Sequence, residues 1–515
     1  MKVGASMDLK GRRRIYTDVE NITTENVVAV LTDALMKHEI NRQEIQYLLD
    51  FEKGVQPLMR KKTVRPEIDI KSIANLANEI TEFKLGYFWG NPVALVQKSD
   101  KLPKGSDKNI DNSAITELND MFFAEMKDSK DQELARYVEV CGVGYQMIDI
   151  KRKYEEGGSV FDLLTLNPLY TFVVYSSDVY HRPILGVTYA KREDGTRLFT
   201  CVSDETVFII NEQKRIINGQ PEDGEFDYLF GNRSGEPNPI GEVYIVEFER
   251  SFDRTGCFER QVDELNALNI LESDLVNDVA QNTQAIWWGN DIELEEDENG
   301  NVKGVKGGQW LLTRTTGNNS NKPDIRALVL QYDYAGVLQN IQTKHDYILE
   351  RAFVPKQSDP GGGSTTGAMS LSSGWSAAES AACKESLVLK KSFQTRNRLA
   401  LKAIRKSPYV QTDSEVMKLS ANDIDIRFIR QKTFDMASKV NALSTMLNCM
   451  VSPRHAMAAI DFFPNLAEAI DDSVEMMDAY QKKLLEGGSD GEIEPEKKTM
   501  ADSSDQLENS PLSDL

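Results

Sequence analysis

Asp333-Tyr-Ala-Gly-Val-Leu-Gln-Asn-Ile-Gln-Thr-Lys-His-Asp-Tyr-Ile-Leu-Glu-Arg-Ala352 leads through Gln357-Ser-Asp-Pro-Gly-Gly-Gly-Ser-Thr-Thr-Gly367 into a long periodic run ending near Lys406. The first part has helical spacing. Tyr334, Val337, Leu338, Ile341 and Ile348 fall at i, i+3, i+4, i+7 and i+14, on one face. Asp333 is placed to cap the helix and Pro355 to stop it. Gly361, Gly362, Gly363, Ser364, Thr365, Thr366 and Gly367 carry almost no side-chain bulk, and a long unstructured connection inside a compact domain is usually functional or disordered. From Trp375 to Lys406 helical spacing returns, with Ala381, Leu387, Leu389, Phe393, Ala400 and Ile404 as the apolar positions.

The polar side of that last helix is basic. Lys384, Lys391, Arg398 and Arg405 recur every seven residues, Lys402 joins the same stripe, and Glu385 is the one acid between Lys384 and Lys406. Seven residues are nearly two turns, so these cations share a face. A basic face is most simply a solvated surface. With the glycine segment it suggests a pliable finger on a rigid lever, without saying what the finger touches.

Composition narrows the classes. The chain has 515 residues, a 40% apolar fraction, a 27% charged fraction and a formal net charge of −21. That length suggests about three or four domain-sized units. The acidity argues against a free nucleic-acid binder but allows transient contact with phosphates, which an acidic wall repels. The 5 cysteines are scattered without a C-x-x-C and the 4 histidines lie far apart, so neither a zinc site nor a disulfide framework is expected. No apolar run reaches the length of a membrane span. Arg12, Arg13 and Arg14 precede no apolar stretch, so residues 1–22 read as a flexible arm rather than a secretory signal.

Enzymatic motifs are missing. Gly361 to Gly367 superficially resembles a phosphate cradle, yet no lysine follows the last glycine and neither G-x-x-x-x-G-K-[ST] nor G-x-G-x-x-G occurs there. No G-x-S-x-G or H-E-x-x-H is present. The acidic run at Asp291, Glu293, Glu295 and Glu296 lacks EF-hand spacing and reads as a solvated turn. No enzyme activity, cofactor or metal is expected.

In chain order, helices are expected over 23–47, 41–50 and 68–89, then a strand at 93–97. Two helices follow over 112–140, then a β-rich stretch from 142 to 248 with Asp194-Gly195 as the clearest hairpin signal. Residues 258–284 read as one long helix of roughly 40 Å. A small β region follows, with strands near 309–314 and 325–330. After Lys406, Ile424, Ile426 and Phe428 alternate as in a strand, residues 433–485 are helical with a break at Ser452-Pro453, and the acidic end lacks the apolar content to fold.

Glu44-Ile-Gln-Tyr-Leu-Leu-Asp-Phe-Glu-Lys-Gly54 followed by Pro57-Leu-Met-Arg60 resembles the opening of portal proteins from tailed double-stranded DNA bacteriophages, of the siphophage type. Glu79-Ile-Thr-Glu-Phe-Lys-Leu-Gly-Tyr-Phe-Trp-Gly-Asn-Pro-Val93 is similar to the next segment of that family, and Ser452-Pro-Arg-His-Ala-Met457 to its crown. Two long helices flanking a β insertion, followed by a glycine loop and a long helix, also resemble its element order. The resemblance covers about residues 25–485.

It implies an α+β portal-type subunit with the following parts: flexible N-terminal arm (1–22), mixed wing (23–257), first stem helix (258–285), small β clip (286–331), second stem helix (332–354), tunnel loop (355–374), long tunnel helix (375–406), wing return strand (407–432), crown helices (433–485) and disordered acidic tail (486–515). It further implies a structural role in the virion: a ring of twelve copies at one capsid vertex, the conduit for DNA packaging and ejection and the head–tail attachment site. The implied partners are double-stranded DNA without sequence preference, the terminase large subunit, a head–tail adaptor, and the major capsid and scaffolding proteins, with no membrane. The loop Gly361–Gly367 would line the channel, and the stripe Lys384, Lys391, Arg398, Lys402 and Arg405 would face either DNA or a neighbouring subunit. The alternative is a non-ring nucleic-acid-binding protein that uses the basic helix 384–406.

Overall fold

A computed structural model describes residues 9–58, 69–98, 113–154, 157–193, 195–217, 236–283, 286–290, 324–328, 333–356, 374–430, 436–449, 451 and 456–457. The chain divides into two compact units, Met1–Ser106 with Asp111–Val440, and Asp107–Ile110 with Asn441–Leu515. The described fold is α+β and lies mostly in the first unit.

Helix α1 (Val27–Glu52) is continuous, where the sequence suggested two helices. Nothing between Met36 and Asn41 breaks the pattern, since neither Gly nor Pro occurs there. Its two halves serve two cores. Val27, Val30, Leu31 and Ala34 cover Phe172, Val187, Phe199 and Phe208. Ile45, Leu48 and Phe51 join the main core.

The sheet under the first half contains six strands in the order β1-β5-β6-β7-β8-β9: β1 (Ile15–Thr17), β5 (Thr171–Ser176), β6 (Pro183–Lys191), β7 (Arg197–Val202), β8 (Thr206–Asn211) and β9 (Glu236–Pro237). Only β1 runs parallel to its neighbour. The β6–β7 hairpin falls around the expected Asp194-Gly195 turn, with Gly195 at φ +86°. A second sheet orders β10 (Ile245–Glu249), β3 (Val143–Ile150) and β4 (Phe161–Leu166). Helices α2 (Leu76–Phe88), α3 (Ser113–Ala124) and α4 (Lys127–Cys141) complete the main layers. Strand β2 (Ala94–Gln97) pairs antiparallel with β13 (Ile424–Arg427), so the chain returns late to finish a sheet begun early.

Next come two helices with a pair of strands between them in the sequence, the order that the sequence suggested. A short 3-10 turn, Glu259–Gln261, leads into α5 (Val262–Thr283). β11 (Ile286–Asn290) pairs antiparallel with β12 (Asp324–Leu328). α6 (Tyr334–Arg351) starts as expected, with the Asp333 carboxylate accepting from Gly336 N at 3.0 Å. α5 and α6 are tied by Lys344 Nζ on Glu264 Oε2 at 2.7 Å. α7 (Trp375–Lys406) has the expected bounds, and α8 (Met436–Asn448) lies in the stretch read as helical, with Asn441–Asn448 belonging to the second unit. The strand expected near 309–314, the break at Ser452-Pro453 and the acidic end lie outside the described residues.

Two expectations are corrected. The helix expected from residue 68 begins at Leu76, because α5 captures the preceding backbone. Asn277 accepts from Ile70 N at 2.9 Å and donates to Ile70 O at 2.8 Å. Ser273 Oγ accepts from Ser72 N at 3.0 Å and donates to Ser72 O at 3.1 Å. Asn269 Oδ1 accepts from Ala74 N at 3.1 Å. The two spacings match, since four helical residues rise about 6.0 Å and two extended residues span about 6.6 Å.

Residues 9–22 of the expected flexible arm are docked. Arg12 is 3% exposed and its Nη2 donates to Glu259 Oε1 at 2.8 Å, while Nε lies 3.1 Å from Glu44 Oε2. Arg13 Nη1 donates to Glu44 Oε1 at 2.7 Å, and Arg14 Nη2 reaches both oxygens of Glu249 at 2.7 Å. The three cations therefore meet acids already buried in the body, and β1 extends the sheet. Arg12→Ala leaves Glu259 and Glu44 buried without that partner. It should lower the unfolding free energy by about 3–5 kcal/mol in denaturant titrations. Arg260→Ala, which removes an exposed pair with Asp253, should cost no more than about 1 kcal/mol.

Candidate functional site

α7 carries the basic stripe that the sequence singled out. Gly374, at φ +86°, lets the chain turn into it. Its buried face begins with the small residues Ala378 and Ala382 and continues through Leu389, Phe393, Ala400 and Ile404. Phe393 meets Phe248 at 5.0 Å, Phe428 at 5.6 Å and Trp89 at 6.1 Å between ring centroids. Ser392 Oγ donates to Glu247 O at 2.7 Å, fixing the helix over β10. Leu387, assigned to the apolar face from its spacing, is instead 70% exposed.

The basic stripe divides in two. Lys384 and Lys391 are exposed and form no ion pair with any described residue. Arg398 Nη1 donates to Glu242 Oε1 at 2.6 Å, Lys402 Nζ donates to the same oxygen, and Arg405 donates to the Leu419 carbonyl. Burial opposes ionisation of Glu242, but Lys402 and Arg398 outweigh it and hold the carboxyl below its usual range. The division follows from helix geometry. A seven-residue repeat drifts about 20° per heptad, so three heptads turn the stripe by about 60°. Its C-terminal end thereby reaches Glu242 and Leu419, while its first two cations stay on open surface.

Two charged residues of α7 that the stripe did not single out are buried. Arg396 lies about 140° around the helix from Lys391 at ~100° per residue. It is 0% exposed, with Nη1 donating to Asp131 Oδ1 at 2.6 Å and Gln146 Oε1 at 3.1 Å. Its guanidinium carbon sits 4.5 Å from the Phe393 centroid and 5.2 Å from that of Phe122. The signal was present in the angle, which puts Arg396 on the apolar side.

Glu385 is the second. Arg250 Nη2 lies 3.5 Å from Glu385 Oε2 while Arg250 Nε donates to Glu139 Oε2 at 2.9 Å. Trp89 Nε1 donates to Glu139 Oε1 at 3.1 Å. Burial, and then the neighbouring Glu139 carboxylate, raise the Glu385 carboxyl well above the usual glutamate range. Burial opposes the Glu139 charge too, but Arg250, a hydrogen bond from Glu385 and Lys84 outweigh it and lower its pKa.

The segment Gly361–Gly367 lies outside the described residues, as do Asp291, Glu293, Glu295 and Glu296. Its flanks are described. At the end of α6, Phe353 N donates to Glu350 O at 3.0 Å and Val354 N to Leu349 O at 2.9 Å, a left-handed helix stop with Phe353 at φ +58°. A Cβ added to Gly374 would sit 3.7 Å from Pro355 Cα, so the chain leaves α6 and enters α7 at one point.

Because burial and the Glu139 carboxylate raise the Glu385 pKa in the folded protein above the unfolded value of about 4.3, this group's stabilising contribution is present below that value. It is lost as pH rises toward the raised folded value. Glu385→Gln should therefore melt at a higher temperature than the parent at pH 7–8, with the gap narrowing as the pH falls toward about 4.3, in parallel thermal melts.

The sequence was compared with known proteins. No curated protein matches it. A family profile described as phage portal protein, SPP1 Gp6-like, matches residues 36–483. That span takes in the second half of α1, helices α2 to α6, the segment 357–373 with its two flanks, and α7. The chain belongs to the phage portal protein family of the SPP1 Gp6-like type.

Proposed function

We propose that copies of this chain close into a ring of twelve at one capsid vertex and that double-stranded DNA passes through its axis during packaging and ejection. Family membership supports the portal role. The observation that carries the finer assignment is the shared base of the segment 357–373, where α6 stops and α7 starts beside each other at Pro355 and Gly374. The two flanks meet there while α7 stays fixed in the core. In this role α5 and α6 are the stem, β11 and β12 belong to the clip, and 355–374 is the tunnel loop. Gly361, Gly362, Gly363, Ser364, Thr365, Thr366 and Gly367 would give it shape freedom and weak contacts to phosphates that ignore sequence.

Closure requires a heterologous interface, in which unlike surfaces of identical copies meet. Lys384, Leu387 and Lys391 fall at i, i+3 and i+7, so one face of α7 carries an exposed leucine between two exposed lysines. A leucine gains nothing from phosphate but gains from burial against protein. That favours a neighbouring subunit over DNA as the partner of this face, with acids of an acidic chain to meet the lysines. The clip, including the acidic run Asp291, Glu293, Glu295 and Glu296, would dock the head–tail adaptor and, during packaging, the terminase large subunit. The terminase would supply the ATP-driven work. Capsid and scaffolding proteins would surround the ring in the virion.

The rival reading, a non-ring nucleic-acid binder gripping with helix 384–406, loses cations to the fold. Arg396 is buried, and Arg398, Lys402 and Arg405 are engaged within the chain.

Negative-stain electron microscopy with native mass measurement tests the proposal. Rings with a central hole and a mass near twelve times 58.0 kDa are expected. A protein that stays monomeric at all concentrations and binds DNA with a steep salt dependence would favour the rival. Lys384→Glu combined with Lys391→Glu should shift the ring toward smaller species. Intact rings with altered DNA passage would assign this face to DNA instead. Deletion of Gly361–Gly367 should leave ring assembly unchanged and abolish DNA packaging, and normal packaging by the deletion would remove the tunnel-loop assignment.

A further inference from the structure

One helix holds both flanks of the segment 357–373. α2 presents Phe83, Lys84 and Tyr87 on one side. Toward α6, the Lys84 ammonium lies 3.5 Å from the Phe353 carbonyl oxygen and 5.8 Å from the centroid of the Phe353 ring. Toward α7, the Phe83 and Tyr87 rings meet Trp375 at 6.0 and 5.6 Å, and the Tyr87 hydroxyl donates to Glu379 Oε2 at 2.6 Å. Arg430 Nη2 holds the other oxygen of Glu379 at 2.8 Å. Phe83 and Tyr87 stack at 5.6 Å, and Lys84 lies over the Phe83 ring at 5.6 Å, so the three side chains form one continuous contact.

Phe353 is the strained point. It occupies the position after a helix that is usually glycine, at φ +58°. A side chain in that region costs on the order of 1 kcal/mol, so a neighbouring group has to favour it. Lys84 does so in two ways. Its cation faces the unpaired carbonyl end of α6, where positive charge is stabilising, and it covers the ring. Lys84 is buried; burial and the nearby Arg250 charge lower its pKa, and Glu139 offsets part of that effect.

We propose that α2 is a positioning bracket: Lys84 holds the left-handed exit of α6 at Phe353 while Phe83 and Tyr87 hold the first turns of α7, so both flanks of the segment are fixed to one helix. Lys84 is a positioning residue and contacts no ligand in this role. The inference rests on the described flanks alone and stands whether or not the chain packages DNA.

Hydrogen exchange of the full chain, read by mass spectrometry, tests it. In Lys84→Met the amides of Phe353 and Val354 should exchange at least about tenfold faster while strands β6 and β7 keep their protection, since loss of about 1.4 kcal/mol corresponds to that factor. Lys84→Arg should restore slow exchange. Phe353→Gly added to Lys84→Met should also restore it, because glycine holds the left-handed turn unaided. Tyr87→Phe reads the other flank, and Ala378 N, which bonds to Gly374 O, should exchange several-fold faster. Unchanged exchange at Phe353 and Val354 in Lys84→Met would overturn the proposal. So would loss of protection spread equally to β6 and β7, which marks a purely structural residue, or failure of Phe353→Gly to rescue. If Lys84→Met does not fold, Tyr87→Phe decides: unchanged exchange at Ala378 overturns the bracket, and faster exchange confined to the start of α7 supports it.

Discussion

The buried contact between Arg396 and Asp131 determines how α7 lies in the fold, and a second buried contact makes that placement unique. Arg396 reaches Asp131 on α4, and Arg250 bridges Glu385 to Glu139, also on α4. Going forward along α7 from 385 to 396 means going backward along α4 from 139 to 131. The two helices are thus joined antiparallel at two points, eleven residues apart on one and eight on the other. Sliding or turning α7 would strand at least one buried charge, at a cost of about 3–5 kcal/mol. A well-packed apolar helix could tolerate small rotations, whereas this one cannot. The outward face of Lys384, Leu387 and Lys391 is therefore presented at a fixed angle.

How legible this was in the sequence depended on whether the signal was local. The bounds of α6 and α7 followed from Asp333, Pro355 and the periodicity from Trp375 to Lys406, because caps, breakers and periodicity are properties of neighbouring residues. The strand 424–427 could be read from its alternation, though its pairing with 94–97 could not. The N-terminal arginines looked like a free arm because their acids, Glu44, Glu249 and Glu259, lie 31 to 247 residues away. Neither composition nor periodicity links such positions.

The candidate site shows the same limit. The stripe was visible, but its division into open and engaged cations depends on Glu242 and Leu419, which tertiary structure supplies. Arg396 falls within the basic helix 384–406, although its angle puts it on the apolar side. Glu385 stood out as the lone acid of a basic run, a local conflict of the kind that marks a buried polar cluster. The division of labour along α7 is plain: its buried face carries the ionic register, and its outer face carries the freedom to meet a partner.

The ladder of Asn269, Ser273 and Asn277 along α5 has a different kind of consequence. On the captured strand the rungs grip only peptide groups, the amides at 70, 72 and 74 and the carbonyls at 70 and 72, which every residue except proline offers alike. Recognition there is indifferent to the side chains of the captured strand. Substitution pressure should consequently fall unevenly on the two partners. The three small polar residues of the helix are replaceable only by residues of the same reach and hydrogen-bonding capacity. The residues they hold are free to drift, provided none of the gripped positions becomes proline. One side of this contact is therefore written in side chains and the other only in backbone, and relatives of the chain should look alike on the first and unalike on the second.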